Sequence, residues 1–183
     1  GASPAAQAVQ TAPALTDWQV IDLTQPLRLD MPIWPGDPAF EIEAWATYDV
    51  DYYFINRISI GEHSGTHWGT PNTFIEGARS SEMIPAEELV VPAVVIDIRE
   101  KAADADYRLT VEDVQAWEAE HGTIAAGSVV ILFTGWQDKW SDPAAFINED
   151  AEGVLHWPGF SAEAAEFLVT EREIAGLGTD THG

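Results

Sequence analysis

His63 and His67 stand four residues apart in the stretch Gly61 to Gly77, which reads G-E-H-S-G-T-H-W-G-T-P-N-T-F-I-E-G. Imidazole is a good ligand for Zn, Mn, Fe and Cu ions, and two imidazoles on one side of a chain are the beginning of a metal site. The preceding run, Tyr53 to Ile60, is β-rich, so the spacing predicts an extended segment. Alternate side chains of such a segment share a face, which puts His63, His67 and Gly69 together. Gly65, between the histidines, lets the backbone turn or approach closely. Spacing alone leaves two readings open: a metal site, or histidines held in a hydrogen-bonded polar cluster with Asn72 and Thr73.

His63-Ser64-Gly65-Thr66-His67, with Pro71 four residues on, resembles the H-x-G-T-H-x-D-x-P-x-H signature of the cyclase family of metal-dependent hydrolases, the kynurenine formamidases and isatin hydrolases. Other segments match that family in order. Val20 to Thr24 and Met31 to Pro38 resemble its opening strand and P-G-D-P loop. His156-Trp157-Pro158-Gly159-Phe160-Ser161 with Glu163-Ala164-Ala165 resembles its H-x-P-G-x-S-x-E-A-A helix start, and Gly176 to Asp180 its late strand. Two positions depart from the pattern. Gly69 stands where the family carries a metal-ligating Asp, and Thr73 where it carries a second His. A glycine offers no ligand, and an unassisted hydroxyl does not give up its proton near neutral pH.

The resemblance implies an enzyme that hydrolyses an amide or lactone bond in a small aromatic or cyclic substrate, with one divalent metal ion, Zn or Mn, on His63 and His67. On the family pattern His156 is the catalytic base or orienting group, and Glu163 a catalytic carboxylate that ligates the metal or supports one of its ligands. Trp34, Trp68, Trp136 and Thr73 are expected to line the substrate pocket. Two imidazoles alone hold a divalent ion weakly, so a full shell would need His156, Glu163, Asp180 or His182 as well. No bridged pair of ions is expected. The alternative is a family member that keeps the fold and binds a small ligand without catalysis.

Composition narrows the remaining classes. The formal net charge is -23 with only eight Lys and Arg, which excludes nucleic acid and an anionic membrane surface as partners, since both are held by clustered cations. With no cysteine there is no disulfide, thiolate zinc site or cysteine nucleophile. A content of 46% hydrophobic residues, eight of them Trp, argues for a packed core instead of disorder. Residues 1–16 are small, uncharged and proline-bearing and read as a flexible Ala/Pro-rich tail, the kind left after a signal peptide is removed, so a secreted or extracellular protein is expected. Residues 17–183 read as one cyclase-like domain.

To hold the histidines, the chain is expected to form an α/β (or α+β) domain with a curved or barrel-like mixed sheet and helices packed outside. Strands are predicted over Trp18–Leu23, over Phe40–Thr47 with Phe40, Ile42 and Ala44 inward, and over Phe54–Ile60. Two buried strands follow, Pro92–Ile98 and the central Gly127–Thr134. Thr110–His121 and Ser161–Arg172 carry helical periodicity behind Thr and Ser caps. Asp49–Tyr53 reads as a turn and Ala144–Val154 as a mobile acidic loop. Family members run on into further strands beyond the G-x-D-T segment, so the resemblance implies that a second polypeptide or a neighbouring subunit completes the domain, as in a homo-oligomer.

Overall fold

The computed structural model describes residues 19–182; the tail expected over 1–16 lies outside them. In chain order the elements are β1 (Glu41–Ala46), α1 (Tyr48–Asp51), β2 (Ile55–Ser59), β3 (Ala93–Asp97), β4 (Arg108–Leu109), α2 (Val111–His121), β5 (Val129–Phe133), α3 (Pro143–Ile147), β6 (Gly159–Phe160), α4 (Ala162–Glu171) and β7 (Gly176–Thr179). The mixed α/β class is as expected. Among the described residues the strands form three small sheets and no closed barrel: antiparallel β1-β2, parallel β4-β6, and a parallel three-stranded sheet ordered β3-β5-β7.

The parallel sheet carries the core. Its centre is the apolar run of β5, in register with β3 on one side (Val94 opposite Val130, Ile96 opposite Leu132) and with β7 on the other. Val130 and Leu132 are fully buried against Leu109, Val114 of α2 and Leu168 of α4. α2 starts where predicted. The Thr110 hydroxyl accepts from the Asp113 N–H while the Asp113 carboxylate accepts from the Thr110 N–H, a reciprocal cap that satisfies two helix-end donors. The α4 cap is Ser161, whose hydroxyl accepts from the Ala164 N–H. Arg172 spans from α4 to Glu118 on α2 with two charge-assisted bonds of 2.7 and 2.9 Å, and its guanidinium also covers Phe167.

Residues 19–90 are built differently. Gln19 to Leu23 form no strand, and Val20, Ile21 and Leu23 are exposed; the alternation there meets no sheet to pair with. β1 and β2 pair with a register shift at Ala44/Ala46, so of the residues expected inward Phe40 is buried, whereas Ile42 and Ala44 are exposed. The bulge turns Ala46 inward instead. The predicted turn after β1 closes into one helical turn, α1, and ends on Tyr52 at φ 65°. Part of the expected acidic loop is ordered as α3, because Asp142 caps the Ala145 N–H and Pro143 opens the helix. β3 is an edge strand with Val95 half exposed, so the expected full burial holds only for its Ile96 face.

Asp113 couples this fold to pH. Burial pushes its carboxyl upward, but the ammonium of Lys101, the Tyr107 hydroxyl (2.5 Å) and the Thr110 N–H outweigh that and hold it down at about 2. A depressed carboxyl stabilises the fold above its ordinary pKa of 3.8 and loses that contribution as pH falls toward 2. Asp113→Asn should therefore cost about 2 kcal/mol at pH 7 and flatten the loss of stability between pH 4 and 2, read by urea denaturation across that range.

Candidate functional site

The segment bearing the two histidines is not a strand. β2 ends at Ser59, and residues 62–66 run through turns and bends, so the histidines do not meet by alternation along an extended chain. They meet because Gly65 takes φ +68° and folds the chain back on itself. Leu27 packs where a Cβ on residue 65 would lie, 2.6 Å from it, so the site needs glycine for space as well as for conformation. The loop is pinned from outside by the Thr66 hydroxyl, which accepts from the Gln25 N–H at 2.9 Å. The neighbouring Pro26 carbonyl accepts from the Trp140 indole N–H at 3.2 Å, which ties this strap to the second half of the chain.

His63 Nδ1 and His67 Nε2 face each other at 3.3 Å. On the far side of its ring, His67 Nδ1 lies 2.9 Å from the Gly65 carbonyl, which can only accept, so Nδ1 carries the proton and Nε2 turns a lone pair into the site. His63 Nε2 lies 3.5 Å from the Thr73 hydroxyl, which can donate or accept. Two arrangements satisfy these contacts. In one, His63 Nδ1–H donates to His67 and Thr73 donates to His63 Nε2. In the other, His63 Nε2–H donates to Thr73 and two lone pairs converge on a cation. Two ligand nitrogens at about 2.0–2.1 Å from a tetrahedral ion stand about 3.3–3.4 Å apart. The observed separation fits that requirement, and Thr73 can serve either state.

The donor set beyond this pair is thin. Among the described residues no group of three or more His, Asp, Glu or Cys side chains is placed to hold a metal ion. Glu62 is 4.0 Å from His63 Nε2, on the ring edge away from His67. His156 has both nitrogens engaged, Nδ1 with Asp106 at 2.8 Å and Nε2 with Asp150 at 3.2 Å; Asp106 first and then Asp150 raise its pKa. Neither nitrogen is free for a metal or for proton abstraction. Glu163 is exposed in the first turn of α4. The Asp180 carboxylate accepts from the Thr134 N–H and hydroxyl at 2.8 and 2.7 Å and from the Gln137 N–H, which secures the exit of β5. None of these side chains completes the shell, contrary to the requirement drawn from the sequence: each is held elsewhere by a partner or faces solvent. Asn72 turns to the Thr70 hydroxyl and leaves only Thr73 beside the histidines.

The expected aromatic wall divides. Trp68 is half exposed and has no ring partner among the described residues. Trp34, 41% exposed, stands edge-on to Trp157 at 5.4 Å and to His182 at 5.8 Å. Trp136 is a buried strut: its indole N–H donates to the Phe146 carbonyl at 2.9 Å, and Lys139 covers its ring, an ammonium whose pKa is lowered by burial. His182 joins these groups, packing on Trp34, Trp157 and Phe146. Burial lowers its pKa against the pull of Asp37, and its Nε2 is buried with no hydrogen-bond partner among the described residues. Sequence reasoning missed this cluster, because no spacing links positions 34, 146, 157 and 182.

The Cyclase family model matches residues 21–183. The chain belongs to the Cyclase family. Among members of this family, isatin hydrolase of Roseibium aggregatum is 37% identical over 179 residues, covering 90% of this chain and 67% of that protein. Kynurenine formamidase of Erythrobacter litoralis is 28% identical over 167 residues, covering 88% of this chain and 65% of that protein. The chain thus spans about two thirds of the length of the curated relatives it matches. Among solved structures, isatin hydrolase A from Ralstonia solanacearum superposes with a TM-score of 0.85 at 35% identity, over 96% of this chain and 75% of that one. An isatin hydrolase bound to the product analogue thioisatinate superposes with a TM-score of 0.82 at 37% identity, over 89% of this chain and 67% of that one. Over the matched length the fold is therefore shared with solved isatin hydrolases.

The Gly65 turn yields a direct test. Gly65→Ala forces a side chain into a left-handed residue and onto Leu27, and should cost about 1–3 kcal/mol in urea unfolding. It should also separate the two rings, seen as loss of the paired shifts of the His63 and His67 ring nitrogens by NMR.

Proposed function

We propose that this chain is a metal-dependent hydrolase of an amide or lactone bond in a small aromatic or cyclic substrate, with one divalent ion, Zn or Mn, held between His63 and His67. The observation that carries the reading is the 3.3 Å approach of His63 Nδ1 to His67 Nε2, with the His67 tautomer set by the Gly65 carbonyl. When bound, such an ion lowers the pKa of a coordinated water and polarises a carbonyl. The Gly65 carbonyl holds the His67 ring in place from the far side, as a metal-ligating histidine requires. With the ion bound, the Thr73 hydroxyl accepts a hydrogen bond from His63 Nε2–H and fixes that ring; it orients and does not act as base. Trp68, beside His67 in the chain and half exposed, offers a face to an aromatic substrate, and Trp34 is open enough to do the same.

The relatives support the substrate class. Isatin hydrolases, one of them seen with thioisatinate, and kynurenine formamidases act on aromatic molecules bearing a carbonyl next to nitrogen. Equilibrium dialysis of the purified chain against Zn or Mn should give at most one equivalent, lost in His63→Ala and in His67→Ala. Two equivalents, or binding unchanged in both variants, would sink the single-site reading. With metal added, isatin or N-formylkynurenine should be hydrolysed and a chelator should stop it. Metal binding without turnover of either would favour a family member that only binds ligand.

The same reading includes a second copy of the chain. Among the described residues β1 and β2 pair with each other alone, and Trp45, Ile55 and Ile58 are 68%, 48% and 56% exposed on them. A strand edge is self-complementary, so the same edge of two copies can pair about a two-fold axis and bring the exposed side chains of one sheet face beside their counterparts in the other copy. Light scattering on a sizing column should give a dimer that Ile58→Glu with Trp45→Glu converts to monomer; a wild-type monomer at micromolar concentration would rule it out.

A further inference from the structure

Ser64, between His63 and Gly65, is 8% exposed, and its hydroxyl is buried with no hydrogen-bond partner among the described residues. A buried hydroxyl left unpaired costs stability, so one placed inside the histidine loop calls for a partner. A carbonyl that could supply it is close. A Cβ built on Gly61 would stand 3.3 Å from Ser64 Oγ and 3.5 Å from the Pro38 carbonyl oxygen, so the two oxygens border one small gap that glycine leaves open. The Pro38 carbonyl accepts no backbone hydrogen bond among the described residues. Pro38 ends a loop whose crown, Trp34-Pro35-Gly36-Asp37, is a stiff turn: the Asp37 N–H donates to the Trp34 carbonyl at 3.0 Å, the Pro35 ring fixes its own φ, and Gly36 takes φ +98°. Residues 34–39 are all exposed, while the feet of the loop, Met31 and Phe40, are buried. A stiff, exposed crown on two buried feet moves as one body. The histidine loop beneath it is held by Gln25 and Leu27, so it is the crown that is free to shift.

We propose that Ser64 is a positioning residue: its hydroxyl donates to the Pro38 carbonyl when substrate is bound and latches the Trp34 crown against the histidine loop. This rests on the hydrolase reading given above and deepens it by naming the residue that holds an aromatic cover in place over the substrate. The bond would join the chain neighbour of His63 to the loop that bears Trp34, and so fix the indole relative to the histidine pair. In the open arrangement Trp34 stands edge-on to Trp157 and His182 at 5.4 and 5.8 Å and keeps 41% of its surface exposed. Those ring contacts hold the crown while the site is empty of substrate. Apolar surface that a bound ring can cover, together with an orphaned hydroxyl that finds its acceptor, favours the closed arrangement once substrate arrives.

Two variants separate a latch from a packing residue. Ser64→Ala removes the orphaned hydroxyl, and without ligand it should unfold at a higher urea concentration than the wild type. With Zn or Mn added and isatin or N-formylkynurenine as substrate, the same variant should raise KM roughly five- to tenfold and hold kcat within about twofold, as expected for a contact made equally in the bound and transition states. Gly61→Ala keeps the hydroxyl but sets a methyl group in the gap, so it should raise KM similarly without the gain in stability. Better stability joined to weaker substrate binding is a pair of effects that a merely structural serine does not give. A lower or unchanged urea midpoint in Ser64→Ala, or a KM equal to that of the wild type, would overturn the latch while the hydrolase reading stands. A folded wild type that turns over neither substrate with either metal would overturn that reading and the latch with it.

Discussion

Everything positioned in this chain depends on one apolar layer, where Val130 and Leu132 of the central strand meet Leu109, Val114 and Leu168 with no exposed surface left. Burying side chains of this size contributes about 1.5–3 kcal/mol each before entropy is counted. That layer fixes the angle at which α2 and α4 lie on the sheet. Asp113, Glu118 and Arg172 lock the helices at the rim, where charged groups can pair without full desolvation. From this body the β5 exit is held by Asp180, and the strap at Gln25–Leu27 reaches the histidine loop through Trp140 and Thr66.

The histidine loop has almost no core of its own. Its order comes from a glycine in the left-handed region, one hydroxyl and one leucine, all local and all short in reach. Such a loop can converge two rings to metal-ligand spacing at little cost in burial, and it leaves the site open to solvent. Openness suits a hydrolase, which must admit water, but it removes the desolvation that strengthens electrostatics in closed sites. Carboxylates elsewhere in the fold hold loops and strand ends. Asp180 serves β5, and Asp106 and Asp150 hold His156. With a net charge of -23, acid groups are abundant, yet the polar centre of the site is two imidazoles and a hydroxyl.

The amino acids by themselves determined the elements whose signals are short in range. The Thr110 and Ser161 caps, the periodic Val114 and Leu168 faces, the β-branched run of β5 and the histidine pair around Gly65 are each specified within about ten residues, and the family signature was readable in the same segments. Tertiary structure decided what no local pattern encodes. Gln19–Leu23 met no strand partner among the described residues, so its partial alternation did not become a strand, and the irregularity in the β1–β2 pair left Ile42 and Ala44 exposed and Ala46 buried. His156 was drawn into a carboxylate pair fifty positions away at Asp106, His182 joined Trp34 and Phe146, and Trp136 went into the core. The physical reason is that a side chain's role depends on which hydrogen-bond or packing partner reaches it first across the fold. Residues such as Asp106 and His156 carry no local signal of that pairing.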